Sequence, residues 1–176
     1  MIYIVDLDNT LVNTDILNNA AYNFALAEEG FVLKSIDGRL TRDRVFEEYE
    51  IVEPETKTRI IELKQSYFAK HLEESELNKS LMDFLLIDNK RFVIWTSADC
   101  QRAIRLIEFH GISNKSEGFY FLEKTNLSDA INKITMELNC AYKDICVIDD
   151  DFTVVKNLVK IGVNAVSISD FMDAIY

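Results

Sequence analysis

The chain has one proline and five glycines in 176 residues, no repeat and no low-complexity tract. It therefore has no linker rich in either residue, and domain boundaries are not marked by composition. Cysteines are few: Cys100, Cys140 and Cys146 make an odd count without metal-type spacing. We expect them reduced, with Cys146 in a buried strand. No apolar stretch approaches the roughly 20 residues that a membrane helix needs. The N-terminal region lacks the basic segment and cleavage site of a signal peptide, and Asp6 and Asp8 interrupt its apolar run, so a cytoplasmic location is expected. Positive charge is scarce: 19 Lys and Arg stand against 30 Asp and Glu, for a net charge of -11 and a pI near 4.6. That balance argues against nonspecific binding to nucleic acid or an anionic membrane, though not against a local basic patch. Only two histidines occur. His110, before Gly111, is expected at a helix end that favours its cationic form. His71 is expected on an exposed helix face. The remainder is ordinary globular composition, 48% hydrophobic and 28% charged, long enough for one domain or a core with a small insert.

The segment Ile2 to Thr10 stands out, reading Ile-Tyr-Ile-Val-Asp-Leu-Asp-Asn-Thr. A short β-prone run ends in two aspartates spaced one apart. Strand residues i and i+2 point the same way, so Asp6 and Asp8 begin on one side of the chain. Two carboxylates at one strand end repel each other. A divalent cation or proton chemistry gives them a reason to be there.

Downstream, apolar residues from Asp15 to Glu29 recur at helical spacing, and Gly30 is placed to stop that helix. Thr41 to Tyr49 predicts a short helix capped by Thr41. Pro54 suits the start of a helix running to about Glu74, and Glu76 to Ile87 predicts another. The pattern then alternates. Strands are predicted at 91–95, 118–122, 144–148 and 163–168, with helices at 99–110, 128–139 and 153–161 and a last helical turn capped by Ser169. Phe119, Tyr120 and Phe121 read as sheet core. Five strands separated by helices predict an α/β fold, a doubly wound (Rossmann-like) parallel five-stranded sheet. Residues 13–85 predict a small helical insert without strands, leaving 1–12 and 86–176 as the core domain.

Sites in such sheets form at the carboxyl ends of strands. Asp6 and Asp8 follow the first strand, Thr96 and Ser97 the second, Lys124 the third, and Asp149 and Asp150 the fourth. Two like charges at ~4 Å and an effective dielectric near 20 cost on the order of 4 kcal/mol before screening. One lysine cannot offset four carboxylates, and Mg²⁺ with its preference for oxygen ligands is the natural partner.

These residues resemble the motifs of the haloacid dehalogenase-like (HAD) hydrolase superfamily. Its first motif, an apolar strand followed by Asp-x-Asp-x-Thr, is matched by Asp6-Leu7-Asp8-Asn9-Thr10. Its second, an apolar strand ending in Ser or Thr, is matched by Phe92 to Thr96. Lys124 matches the third, and the acidic pair Asp149-Asp150 the fourth. Thr125 replaces a common proline and the last motif lacks a common glycine, neither of which removes a functional group. The insert lies where the family's type-I helical cap sits. The resemblance implies an aspartyl-phosphate mechanism, with Asp6 as nucleophile and Asp8 as general acid and base. It implies Mg²⁺ held by Asp6, the Asp8 backbone carbonyl and Asp150, with Thr96 and Lys124 on the phosphoryl oxygens and Asp149 orienting Lys124 or a metal-bound water. Ser97 joins the expected substrate contacts.

The resulting expectation is a Mg²⁺-dependent phosphatase of a small phosphorylated metabolite. A phosphomutase or phosphotransferase would use the same groups, and a catalytically silent binding protein on this fold is the rival of a different class. Asp151 reads as a helix cap. The insert carries one basic cluster, Lys34, Arg39, Arg42 and Arg44. Arg39, Arg42 and Arg44 are candidates for a second anionic group of the substrate, against the plainer reading of a solvated, ion-paired face. Substrate identity and oligomeric state are not legible.

Overall fold

A computed structural model describes residues 1–87 and 90–175. The chain divides into two compact units, one formed by Met1–Val12 with Leu77–Tyr176 and the other by Asn13–Glu76.

The first unit is built on a five-stranded sheet. Its strands are β1 (Ile2–Val5), β4 (Arg91–Thr96), β5 (Phe119–Phe121), β6 (Ile145–Asp149) and β7 (Ala165–Ser167), in the spatial order β5-β4-β1-β6-β7. All four pairings are parallel. Central β1 is in register with both neighbours, Ile2 opposite Arg91 and Ile145, and Val5 opposite Ile94 and Ile148. The carboxyl ends of β1, β4 and β6 therefore finish level, which brings the residues that follow them to one rim of the sheet.

Period-two alternation sorts the faces. Ile2, Ile4, Val93, Trp95, Ile145 and Val147 pack on one side against Ile131 and Ile134 of α6 (Leu127–Glu137) and Leu158 of α7 (Phe152–Lys160). On the other side Tyr3 meets the edges of Phe84 in α4 (Lys79–Leu86) and Phe171 in α8 (Ile168–Ile175), with ring centroids 5.4 Å and 6.2 Å away. With helices on both faces, the predicted doubly wound sheet is observed, all five strands in order.

Helix ends follow local chemistry. α5 (Cys100–Phe109) begins at Asp99, whose side chain accepts from the Arg102 N–H at 3.1 Å, and stops at Gly111 with φ +64°. His110 closes that helix, but burial pushes its imidazole below the usual histidine value, which favours the neutral ring over the cation expected from the helix dipole. Asp151 caps α7, accepting from Thr153 and Val154, as predicted. The cap of α8 is Ser167, not Ser169: the Ser167 hydroxyl accepts from the Asp170 N–H at 3.1 Å. Phe119, Tyr120 and Phe121 are half-buried rather than core, because β5 is an edge strand.

The second unit holds α1 (Asp15–Glu28), α2 (Arg42–Glu48) and α3 (Pro54–Lys70), followed by a 3-10 turn at Leu72–Glu74. Tyr22, Ala25, Leu26, Val45, Tyr49 and Ile60 form its core. Thr41 caps α2 and Pro54 opens α3, both as predicted. The loop between α1 and α2 is held by side-chain amides: Asn18 Nδ2 donates to the Leu40 carbonyl at 2.7 Å and Asn19 Nδ2 to the Gly38 carbonyl at 2.9 Å.

Two further expectations need correction. Glu76 does not start a helix. Two-residue strands β2 (Val12–Asn13) and β3 (Glu76–Leu77) pair with each other, and α4 starts after Asn78, whose side chain accepts from the Leu81 N–H. The inserted unit accordingly ends at Glu76 rather than at 85, with α4 in the first unit. Apolar spacing in 76–87 predicts the helix well enough. Which unit buries that helix is a tertiary fact that spacing does not contain.

Candidate active site

The loop after β1 is a tight turn. Asn9 takes φ +60°, a left-handed conformation that Asn tolerates, and the Asn9 N–H donates to the Val12 carbonyl at 2.7 Å. The Asp6 N–H still follows the sheet, donating to the Ile148 carbonyl at 2.9 Å. Asp6 is thus locked at the rim, 6% exposed, and Asp149 at the end of β6 is 1% exposed.

Lys124 joins them. Its ammonium donates to Asp6 Oδ1 at 2.5 Å and to Asp149 Oδ2 at 2.6 Å. The other Asp149 oxygen accepts from the Asp151 N–H at 2.9 Å, so both of its oxygens are engaged. Asp6, Asp149 and exposed Asp150 each present an oxygen, all within 4.8 Å of one another. Burial pushes the Asp6 carboxyl up to about 7; Lys124 pulls against that rise, and Asp149 and Asp8 add to it. Burial alone would lower Lys124, but Asp6 and Asp149 outweigh it and hold the ammonium above the usual lysine value. A proton, or a cation, is what this cluster favours at neutral pH.

The Asp8 side chain lies outside that carboxylate cluster. It pairs with Arg102 of α5, Nη2 to Oδ2 at 2.6 Å, with side-chain exposures of 16% and 14%. Sequence reasoning missed Arg102, although the charge imbalance pointed to a missing cation. Thr96 ends β4, 2% exposed, with its hydroxyl oxygen accepting from the Ala98 N–H at 3.0 Å; its proton remains to donate. The Ser97 hydroxyl accepts from the Lys124 backbone N–H at 3.1 Å. It holds the lysine's turn, a task the sequence did not reveal. Among the described residues, Thr10 Oγ1 is a buried side-chain oxygen without a hydrogen-bond partner.

The basic cluster belongs to the second unit. Arg39 pairs with Asp15 at 2.6 Å and reaches the Thr14 hydroxyl at 3.3 Å. Arg44 donates to the Asp37 carbonyl at 2.6 Å, and Lys34 to the Glu48 carbonyl. Arg42 is exposed. Arg39, through an ion pair, and Arg44 and Lys34, through backbone carbonyls, fasten the segment around the loop between α1 and α2.

No protein-family model matches the chain, and no curated protein matches it in sequence. Solved structures do. A hydrolase of the haloacid dehalogenase-like family from Streptococcus pneumoniae is similar with a TM-score of 0.74 at 17% identity, over 94% of this chain and 83% of that one. A protein described as a predicted phosphatase from Clostridium acetobutylicum is similar with a TM-score of 0.69 at 18% identity, over 99% and 97% of the two chains. Protein Tyrosine Kinase A of Mycobacterium tuberculosis is similar with a TM-score of 0.73 at 17% identity, over 94% and 82%. The chain has the fold of the haloacid dehalogenase-like hydrolases. A fold shared with a protein named as a kinase leaves the activity to be argued from the site.

Proposed function

We propose that the chain is a Mg²⁺-dependent phosphatase of a small phosphorylated metabolite, acting through an aspartyl-phosphate on Asp6. The observation that carries this reading is the Lys124 ammonium, bonded at once to Asp6 and Asp149, with Asp150 completing the carboxylate group. Hard carboxylate oxygens in that number suit Mg²⁺. Asp6 and Asp150 would hold it with the Asp8 backbone carbonyl, and when bound it neutralises charge on the phosphoryl oxygens.

The Asp6 carboxylate attacks phosphorus as the ester P–O bond breaks, and Asp8 gives its proton to the departing oxygen. Water then attacks the aspartyl-phosphate while Asp8 takes its proton. The Asp6–phosphorus bond breaks, and inorganic phosphate leaves. Lys124 and the Thr96 hydroxyl stabilise the phosphoryl oxygens in both steps. Asp149 orients Lys124, and Arg102 holds Asp8. The second unit, inserted in the sequence between the first and second strands of the sheet, would select the substrate, with exposed Arg42 the member of the basic cluster best suited to a second anion.

The test is a panel of phosphorylated metabolites and 4-nitrophenyl phosphate with Mg²⁺, with and without an acceptor sugar. Phosphate release matching substrate loss supports hydrolysis. Transfer to the sugar would make the chain a phosphotransferase, and no turnover of any compound would leave it a binding protein.

A further inference from the structure

We infer that Trp95 is a positioning residue for Lys124, fixing both the turn that carries the lysine and the ammonium itself. The catalytic consequence rests on the phosphatase reading; the structural one does not.

Trp95 is the chain's one tryptophan. It is 1% exposed near the end of β4, packed among Ile4, Val93 and Ile131. A buried indole N–H needs an acceptor, and here it donates to the Leu122 carbonyl at 3.0 Å. Two further bonds tie the same segment to β4 and its exit. The Leu122 N–H donates to the Thr96 carbonyl at 3.1 Å, and the Lys124 N–H to the Ser97 hydroxyl at 3.1 Å. Consecutive residues 95, 96 and 97 therefore each grip the segment 122–124.

The same indole also meets the lysine's charged end. Lys124 Nζ lies 5.3 Å from the Trp95 ring centroid, within the range of a cation–π contact, and tryptophan is the strongest partner for one. The lysine side chain is 13% exposed, so this attraction works with little solvent screening. A lysine stem has many rotamers in water. Here the ring face lies against the same ammonium that Asp6 and Asp149 hold by hydrogen bonds, and so limits the rotamers open to it. An aliphatic residue at position 95 could fill the same core space but could supply neither the donor nor the ring face.

The test is a double-mutant cycle between Trp95 and Lys124, read in kcat for 4-nitrophenyl phosphate with Mg²⁺ and in Tm. Trp95→Leu removes ring and donor, Trp95→Phe keeps a ring face, and Lys124→Met keeps the stem but not the charge. Trp95→Leu is expected to lower kcat about tenfold and Trp95→Phe by less, with KM changed less than kcat. On the Lys124→Met background either change should cost no further kcat, and its Tm loss should shrink. Should Trp95→Leu fail to fold, Trp95→Phe carries the cycle. Where the wild type turns over, equal fractional losses on both backgrounds overturn the inference and leave Trp95 as core packing. Where it does not, the Tm cycle decides: non-additivity upholds the positioning while the phosphatase reading fails, and additivity overturns both.

Discussion

Arg102 reaches Asp8 across 94 residues of chain to form a 2.6 Å ion pair that is largely withdrawn from solvent. It makes Asp8 a held group rather than one of four carboxylates competing for a cation. Removing one partner leaves a part-buried charge uncompensated. Arg102→Gln is therefore expected to cost about 2 kcal/mol, or about 4–8 °C in Tm for a chain of this length. Turnover of alkyl phosphates should fall more than turnover of 4-nitrophenyl phosphate, whose leaving group needs no proton. Equal losses on both substrates would detach Arg102 from proton transfer.

The carboxylate cluster predicts a metal response. Mg²⁺ at 100-fold over its dissociation constant should stabilise the protein by ~2.7 kcal/mol, a Tm rise of roughly 5–10 °C. Asp150→Ala should remove most of that rise and make the metal-free protein more stable. An unchanged Mg²⁺ response in Asp150→Ala would put the ion elsewhere.

The Asp6 carboxyl sets a pH dependence in the metal-free protein. Burial, then Asp149 and Asp8, raise it to about 7 against the pull of Lys124, whereas an unfolded aspartate titrates at about 3.9. The folded state therefore holds a proton that the unfolded state has lost. Stability from this group is full below about pH 4 and is lost as the pH rises to about 7. With chelator present, the wild-type Tm should fall more steeply than that of Asp6→Asn over that window. Parallel curves would contradict the burial account.

Arg39 and Arg44 should matter to the fold of their unit rather than to chemistry. Arg39→Ala removes a half-exposed pair with Asp15, at a cost of about 0–1 kcal/mol. Arg44→Ala frees the Asp37 carbonyl, with a cost of similar size. Both should lower Tm by about 0–4 °C and leave kcat for 4-nitrophenyl phosphate unchanged. A tenfold loss of kcat without a Tm change would reverse that assignment.

Much of this was legible because the chemistry sits where strands end. Apolar runs define β1, β4 and β6, and the residues just beyond them, Asp6, Thr96 and Asp149, are brought to one rim by parallel register alone. Capping residues such as Thr41 and Asp151 were legible because the cap bond is local. Arg102 was not, because it lies in a helix whose sequence says nothing about what its first turn faces. The double task of Trp95 was hidden for the same reason: an indole in a strand reads as core until the Leu122–Lys124 turn is seen folded against it. The boundary at Glu76 escaped because composition does not change there, and the pairing of β2 with β3 depends on residues far apart in sequence.

The central claim is that Asp6 becomes phosphorylated during turnover. Its most direct test is rapid quenching of the wild type with Mg²⁺ and a substrate it turns over, followed by borohydride reduction and mass spectrometry of the peptide carrying Asp6. The account predicts a reduced aspartyl adduct at Asp6, more of it in Asp8→Asn, where attack survives better than hydrolysis. It predicts no adduct and nearly no turnover in a folded Asp6→Asn. A label on another residue, or near-normal turnover in Asp6→Asn, would contradict it.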